Sequence, residues 1–77
     1  ADGIRVNSIS PGAILTARLL AIYGTESNAK KALSSKHPIG RIGYPNEIAG
    51  AAVFLASEES SFMTGADLVI DGGYLAQ

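Results

Sequence analysis

The 77-residue sequence has no cysteine and no tryptophan, and it carries a single histidine and a single methionine. Without cysteine there is no disulfide, no thiolate nucleophile and no cysteine-ligated zinc site. The lone imidazole, His37, has no neighbouring cysteine or carboxylate with which to share a metal, so it reads as a loop histidine, with ligand contact as the alternative. Charge is scarce as well: 17% of residues are charged and the formal net charge is −1. So even a balance offers no electrostatic footprint for nucleic acid or an anionic membrane surface. No apolar run approaches the roughly 18 residues that a membrane span needs. The opening Ala1-Asp2-Gly3-Ile4-Arg5 lacks the basic and then apolar layout of a signal peptide. The expectation is a cytoplasmic protein that binds neither nucleic acid nor membrane.

What the sequence does have is apolar density, 47% of residues. Below roughly 70–80 residues a single core seldom supplies more than about 3–5 kcal/mol, and here neither disulfide nor metal adds to it. More chain or a partner subunit is expected to cover the apolar surface.

Along the chain, Ile4-Arg5-Val6-Asn7-Ser8-Ile9 alternates apolar and polar and predicts a strand over 4–9, stopped at Ser10-Pro11-Gly12. Thr16–Ile22 predicts a helical turn or two, interrupted by Gly24-Thr25. Thr25 or Ser27 caps a second helix through about Ser35, with Lys30, Lys31 and Lys36 on a solvated face towards its C-terminal end. The stretch 37–45, with two prolines and two glycines, is a loop. Pro45 and Glu47 then open the clearest helix, whose face is Ile48, Ala51, Ala52, Leu55 and Ala56. Gly50, Val53 and Phe54 make its other sides apolar, which predicts a helix that is buried and closely approached. The segment 66–70 is a second strand, ended by Asp71-Gly72-Gly73, where Asp71 is a turn-forming side chain rather than a catalytic acid. The segment 74–77 is a short tail. Strand, helical crossover, strand is the arrangement of a parallel α/β sheet, and two strands do not make such a sheet alone.

Three blocks carry a family resemblance: Gly3-Ile4-Arg5-Val6-Asn7-Ser8-Ile9-Ser10-Pro11-Gly12-Ala13-Ile14-Leu15-Thr16, then Pro38–Ala49, then Phe54–Gly65 with the closing Ile70-Asp71-Gly72-Gly73. Each is weak by itself. In this order and spacing they resemble the C-terminal portion of a short-chain dehydrogenase/reductase. The resemblance implies that residues 1–77 are the C-terminal part of one Rossmann-type, doubly wound parallel sheet: the last two strands, the helix between them and the substrate-loop helices. It implies NAD or NADP as cofactor and a small carbonyl or alcohol as substrate. It also implies a homodimer or homotetramer, assembled through the 45–57 helix or the 66–70 strand.

By the same resemblance Pro11, Gly12, Ile14 and Thr16 are cofactor-binding. The Ile14 backbone would meet the nicotinamide carboxamide, and the Thr16 hydroxyl the carboxamide or diphosphate. On the residues alone, Pro11-Gly12 reads as a plain turn and Thr16 as a plain helix cap. The rest of the family's equipment is absent from these residues. There is no glycine-rich phosphate loop, and no Tyr-x-x-x-Lys pair, because the fourth residue after Tyr23 is Ser27 and after Tyr44 is Ile48. Ser60 and Ser61 do not match the catalytic serine. No catalytic residue and no metal ligand is therefore assigned, and the piece alone is expected to be inactive. Arg41 is expected to bond loop carbonyls rather than substrate. The 17–37 stretch is expected to be a substrate-binding lid hinged near Thr16 and Pro38–Gly40, closing Leu19, Leu20 and Tyr23 over a ligand, with an ordinary helical hairpin as the alternative. Two non-enzymatic readings stand beside these: an assembly surface, and a free-standing helical interaction module.

Overall fold

A computed structural model of the chain describes residues 3–76. Strands β1 (Ser8–Pro11) and β2 (Asp67–Ile70) pair in parallel, with Ser8 opposite Asp67 and Pro11 opposite Ile70. Between them run helices α1 (Ala17–Tyr23), α2 (Glu26–Leu33) and α3 (Pro45–Ala56), with short 3-10 turns at Ser34–Lys36, Glu58–Ser60 and Tyr74–Ala76. The last turn covers the expected tail as far as residue 76, and Gln77 lies outside the described residues.

Strand β1 starts later than the alternation predicted, at residue 8 rather than 4, and it runs through Pro11. Over 4–7, side chains take bonds that a regular ladder would give to backbone. The Val6 amide donates to Thr64 Oγ1 at 3.2 Å, and Asn7 Oδ1 accepts the Ala66 amide at 3.0 Å. Pro11 does not stop the strand because its missing N–H is not needed there. The amides of Ser8 and Gly12 donate to Ala66 and Ile70 of the β2 side, and with a period of two the nitrogen of Pro11 faces the other edge.

The helix ends follow their capping chemistry. Thr16 and Thr25 accept from the Leu19 and Asn28 amides at 3.4 and 3.1 Å. Pro45 is the first residue of α3, and Glu47 reaches back to the Tyr44 amide at 3.0 Å. At the other end of α3, Arg5 donates to the carbonyls of Leu55, Ser57, Ser60 and Met63 at 2.8–3.4 Å. One guanidinium thereby satisfies carbonyls that a helix terminus leaves open and ties α3 to the segment entering β1.

The packing of α3 corrects the expected all-round burial. Ile48, Ala51, Phe54 and Leu55 are half-buried; Ala49, Gly50, Ala52, Val53 and Ala56 are exposed, and a Cβ at Gly50 would meet open space. Phe54 thus replaces Ala52 and Ala56 on the covered face. The physical reason is that a helix lying on a two-stranded sheet has one layer to pack against, which covers a single stripe. Among the described residues only Ala29 and Ile42 are fully buried apolar side chains. The accessible surface is 5309 Å², against about 4,400 Å² for a compact monomer of this mass. The radius of gyration is 14.8 Å, where about 11–12 Å is usual for this length. These values describe a layer with uncovered faces. Among the described residues no helix is long and apolar enough to cross a membrane.

Candidate cofactor site

The chain leaves β1 at Pro11-Gly12, the carboxyl end of a parallel strand, where open α/β sheets receive ligands. The loop that follows is held from three sides. Below it, Gly12 donates to the Ile70 carbonyl at 3.0 Å and lies so close to Asp71 that a Cβ would stand 2.9 Å from the Asp71 Cα. Beside it, Gly43 makes a short parallel bridge with Ile14: the Gly43 amide donates to Ala13 O and the Leu15 amide to Gly43 O, both at 2.9 Å. On the third side the Ala13 amide donates to His37 Nε2 at 3.2 Å.

That bridge decides what Ile14 can offer. In a parallel pairing of this register the flanking peptides make the bonds, so the amide and carbonyl of Ile14 itself face the opposite edge. Ile14 also lines an open cleft of about 320 Å³ together with Pro11, Gly12, Ala13 and Thr16, with Arg18, Leu19 and Ile22 on the α1 side. Its size lies at the small end of the range for ligand pockets. All four residues expected to bind cofactor are therefore brought to one wall. A smaller, partly open cavity of about 120 Å³ lies behind the loop, between His37, Ile42, Ile48 and Ile70.

Thr16 caps α1, as its alternative reading had it. The cap uses the hydroxyl oxygen as acceptor and leaves the O–H proton free to donate. Asp71 is the turn-forming side chain expected, accepting from the Gly73 and Leu75 amides at 2.9 and 3.0 Å. Arg41 bonds a loop carbonyl, that of Ile42, and also forms a two-pronged pair with Glu47 at 2.8 Å. The sequence reading missed that pair. With the Tyr44 amide on the same carboxylate, it holds Glu47 down to about 2. The pair spans the turn that presents Gly43 to the loop. The 17–37 stretch is a helical hairpin in which only Ala29 and His37 are fully buried, while Leu20 and Ile22 are exposed.

A family model described as enoyl-(acyl carrier protein) reductase matches residues 1–75. The chain belongs to this family of short-chain dehydrogenases/reductases. Among curated relatives of this dehydrogenase/reductase chain, the NADP-dependent (R)-specific alcohol dehydrogenase of Lentilactobacillus kefiri is 47% identical over 74 residues, covering 96% of this chain and 29% of the relative. A short-chain type dehydrogenase/reductase from Mycobacterium marinum superposes with a TM-score of 0.83 at 44% identity, over 96% of this chain and 28% of that one. A 4-hydroxyisoleucine dehydrogenase complexed with NADH superposes with a TM-score of 0.81 at 38% identity, over 96% and 30%. The α/β architecture is thus part of a Rossmann-type parallel sheet, and the chain spans less than a third of the length of these relatives.

Proposed function

We propose that this chain is the C-terminal segment of an NAD(P)-dependent oxidoreductase, and that its 11–16 loop forms the wall against which the nicotinamide end of the cofactor rests. The observation that carries this reading is the outward edge of Ile14. One amide donor and one carbonyl acceptor lie side by side on the edge turned away from Gly43, in a residue that lines the cleft; such a pair matches a carboxamide, itself one donor and one acceptor group. Thr16 adds a hydroxyl donor on the same wall. The cofactor, when bound, supplies the hydride exchanged with a small carbonyl or alcohol; this chain's residues bind and orient. The proton-transfer groups belong to the rest of the protein, since these residues contain no Tyr-x-x-x-Lys, and the segment alone is inactive. A cytoplasmic location goes with this reading. Both an NADP-dependent relative and an NADH complex lie among the similar proteins, so the reading covers either dinucleotide.

A test is Ile14→Pro, which deletes the outward N–H and leaves the Gly43 bridge its partners. In the complete protein the dissociation constant for NAD+ or NADP+, measured by calorimetry, is expected to rise at least about tenfold. Unchanged affinity would overturn the assignment.

A second reading holds beside the first: the segment builds an interface in a homodimer or homotetramer. The exposed apolar side of α3 supports it, with Val53 at 69% exposure beside Ala49, Ala52 and Ala56. So does Val69, half exposed on β2. Gly50→Leu, which fills the open space on α3, is expected to shift the complete protein towards monomer in native mass measurement. An unchanged assembly would count against this surface.

A further inference from the structure

Among the described residues His37 and Ser60 are the buried polar side chains; His37 is 6% exposed, and both its ring nitrogens are engaged. Nε2 lies 3.2 Å from the Ala13 amide, which can only donate, so Nε2 accepts. Nδ1 lies 2.9 Å from the Leu33 carbonyl, which can only accept, so Nδ1 carries the proton. The two contacts together select the neutral imidazole and one tautomer. Tyr74 closes the ring from the C-terminal turn, its centroid 5.5 Å away. The imidazole also presses on the loop itself, since a Cβ at Gly12 would stand 3.0 Å from Nε2.

Its two partners lie on different devices. Leu33 is the last residue of α2, the end of the 17–33 hairpin; Ala13 immediately precedes Ile14, which lines the cleft with its bonding edge turned away from Gly43. We propose that His37 is the positioning residue of the cofactor wall: as the neutral, Nδ1-protonated imidazole it bridges the hairpin to the Gly12-Ala13 peptide and keeps the Ile14 edge aligned with the cleft. This rests on the nicotinamide reading of that cleft.

The charged and titratable groups around the ring are otherwise committed. Asp71, below the loop, is held by two amides, and Arg41 and Glu47 are paired with each other. Lys36, on the same segment, has an interaction of its own. Tyr74 faces the ring by its own ring.

The experiment compares the complete protein with His37→Gln, which keeps an acceptor that does not ionise, and His37→Leu, which fills the space with none. Affinity for NAD+ and NADP+ is read by calorimetry, and protection of the Ala13 amide by hydrogen exchange without ligand. Loss of one such bond is expected to weaken binding about tenfold. His37→Leu should show that loss, and His37→Gln, which keeps an acceptor towards Ala13, should hold nearly the natural affinity. The Ala13 amide should lose protection in His37→Leu and keep it in His37→Gln. Natural affinity in His37→Leu, or an equally protected Ala13 amide in that variant, would overturn the proposal. If the natural protein binds neither dinucleotide, the nicotinamide reading fails and the Ala13 amide still decides the bridge. If His37→Leu does not fold, His37→Gln decides it, and loss of Ala13 protection there would overturn the proposal.

Discussion

The loop at the end of β1 and the helical hairpin that follows it are joined at Thr16, yet they are held by opposite means. The loop is bonded to residues remote in sequence: Gly12 to Ile70, Ala13 and Leu15 to Gly43, and Ala13 to His37. The hairpin is bonded mainly to itself, through the Thr16 and Thr25 caps and the Asn28 side chain on the Tyr23 carbonyl. Its ties to later residues include Tyr44 Oη on Glu26 at 3.1 Å and Lys30 over the Tyr44 ring, while Leu33 meets the His37 ring at its own end. Long-range backbone bonds fix a wall; local bonds keep a helix helical without fixing where it lies. A wall held by remote bonds beside a locally bonded hairpin is the arrangement that the proposed lid requires.

The largest expected effect tests the tightness of the wall. Gly12→Val places a Cβ within 3.0 Å of the Asp71 Cα and carbonyl oxygen, backbone atoms with nowhere to go. It is expected to cost about 3 kcal/mol in a denaturant titration of the complete protein. A cost within about 0.5 kcal/mol, as for an ordinary surface substitution, would show that the loop is not closely clamped.

Next comes the hairpin. Amides of 17–33 are expected to exchange at least about tenfold faster than those of 8–15 in the unliganded complete protein, and to slow when dinucleotide is added. Equal exchange in both states would make the hairpin fixed scaffold.

A smaller effect separates the cap from the wall. Thr16→Ala is expected to destabilise by about 0.5 kcal/mol, the low end for a lost N-cap, because the 3.4 Å bond is long. A much larger loss in the melt would give Thr16 a structural part that its single bond does not explain.

The smallest effect concerns the turn that carries Gly43. Glu47 is held down to about 2 by Arg41 and the Tyr44 amide, against about 4.3 for a free glutamate. A depressed carboxylate contributes stability above its unfolded value and loses it as pH falls towards the folded one. The advantage of the natural protein over Glu47→Gln is therefore expected to be full above about pH 4.3, to shrink below it and to vanish below about pH 2. Both partners are solvent-exposed, so added salt should reduce it. A difference that persists unchanged below about pH 2 would assign it to packing instead of charge.

Much of this was legible in the residues. Thr16, Thr25, Pro45 and Glu47 announce helix starts because capping is a matter of a few adjacent atoms, and Asp71-Gly72-Gly73 announces its turn for the same reason. The parallel pairing followed from a helical crossover between two short apolar segments. Pro11, Gly12, Ile14 and Thr16 were identified through the family resemblance, and the cleft they share could not be read from their spacing.

The missed features share one property: their partners are far apart in the chain. Arg5 capping α3, His37 under Ala13, and Gly43 beside Ile14 leave no local signature, because each depends on where a remote backbone group happens to lie. The extent of β1 was misjudged because alternation marks which side chains share a face and not which amides find a ladder partner. The burial of α3 was overestimated because hydropathy states how much apolar surface a helix has, whereas the neighbouring layers state how much of it is covered. The sequence by itself thus determined the elements, their caps and the parallel order, all set by short-range chemistry. Only the tertiary structure decided that Ile14 lines a cleft with its bonding edge turned away from Gly43 and that the His37 ring lies between the loop and the end of α2, because those depend on atoms that folding alone brings within about 3 Å of each other.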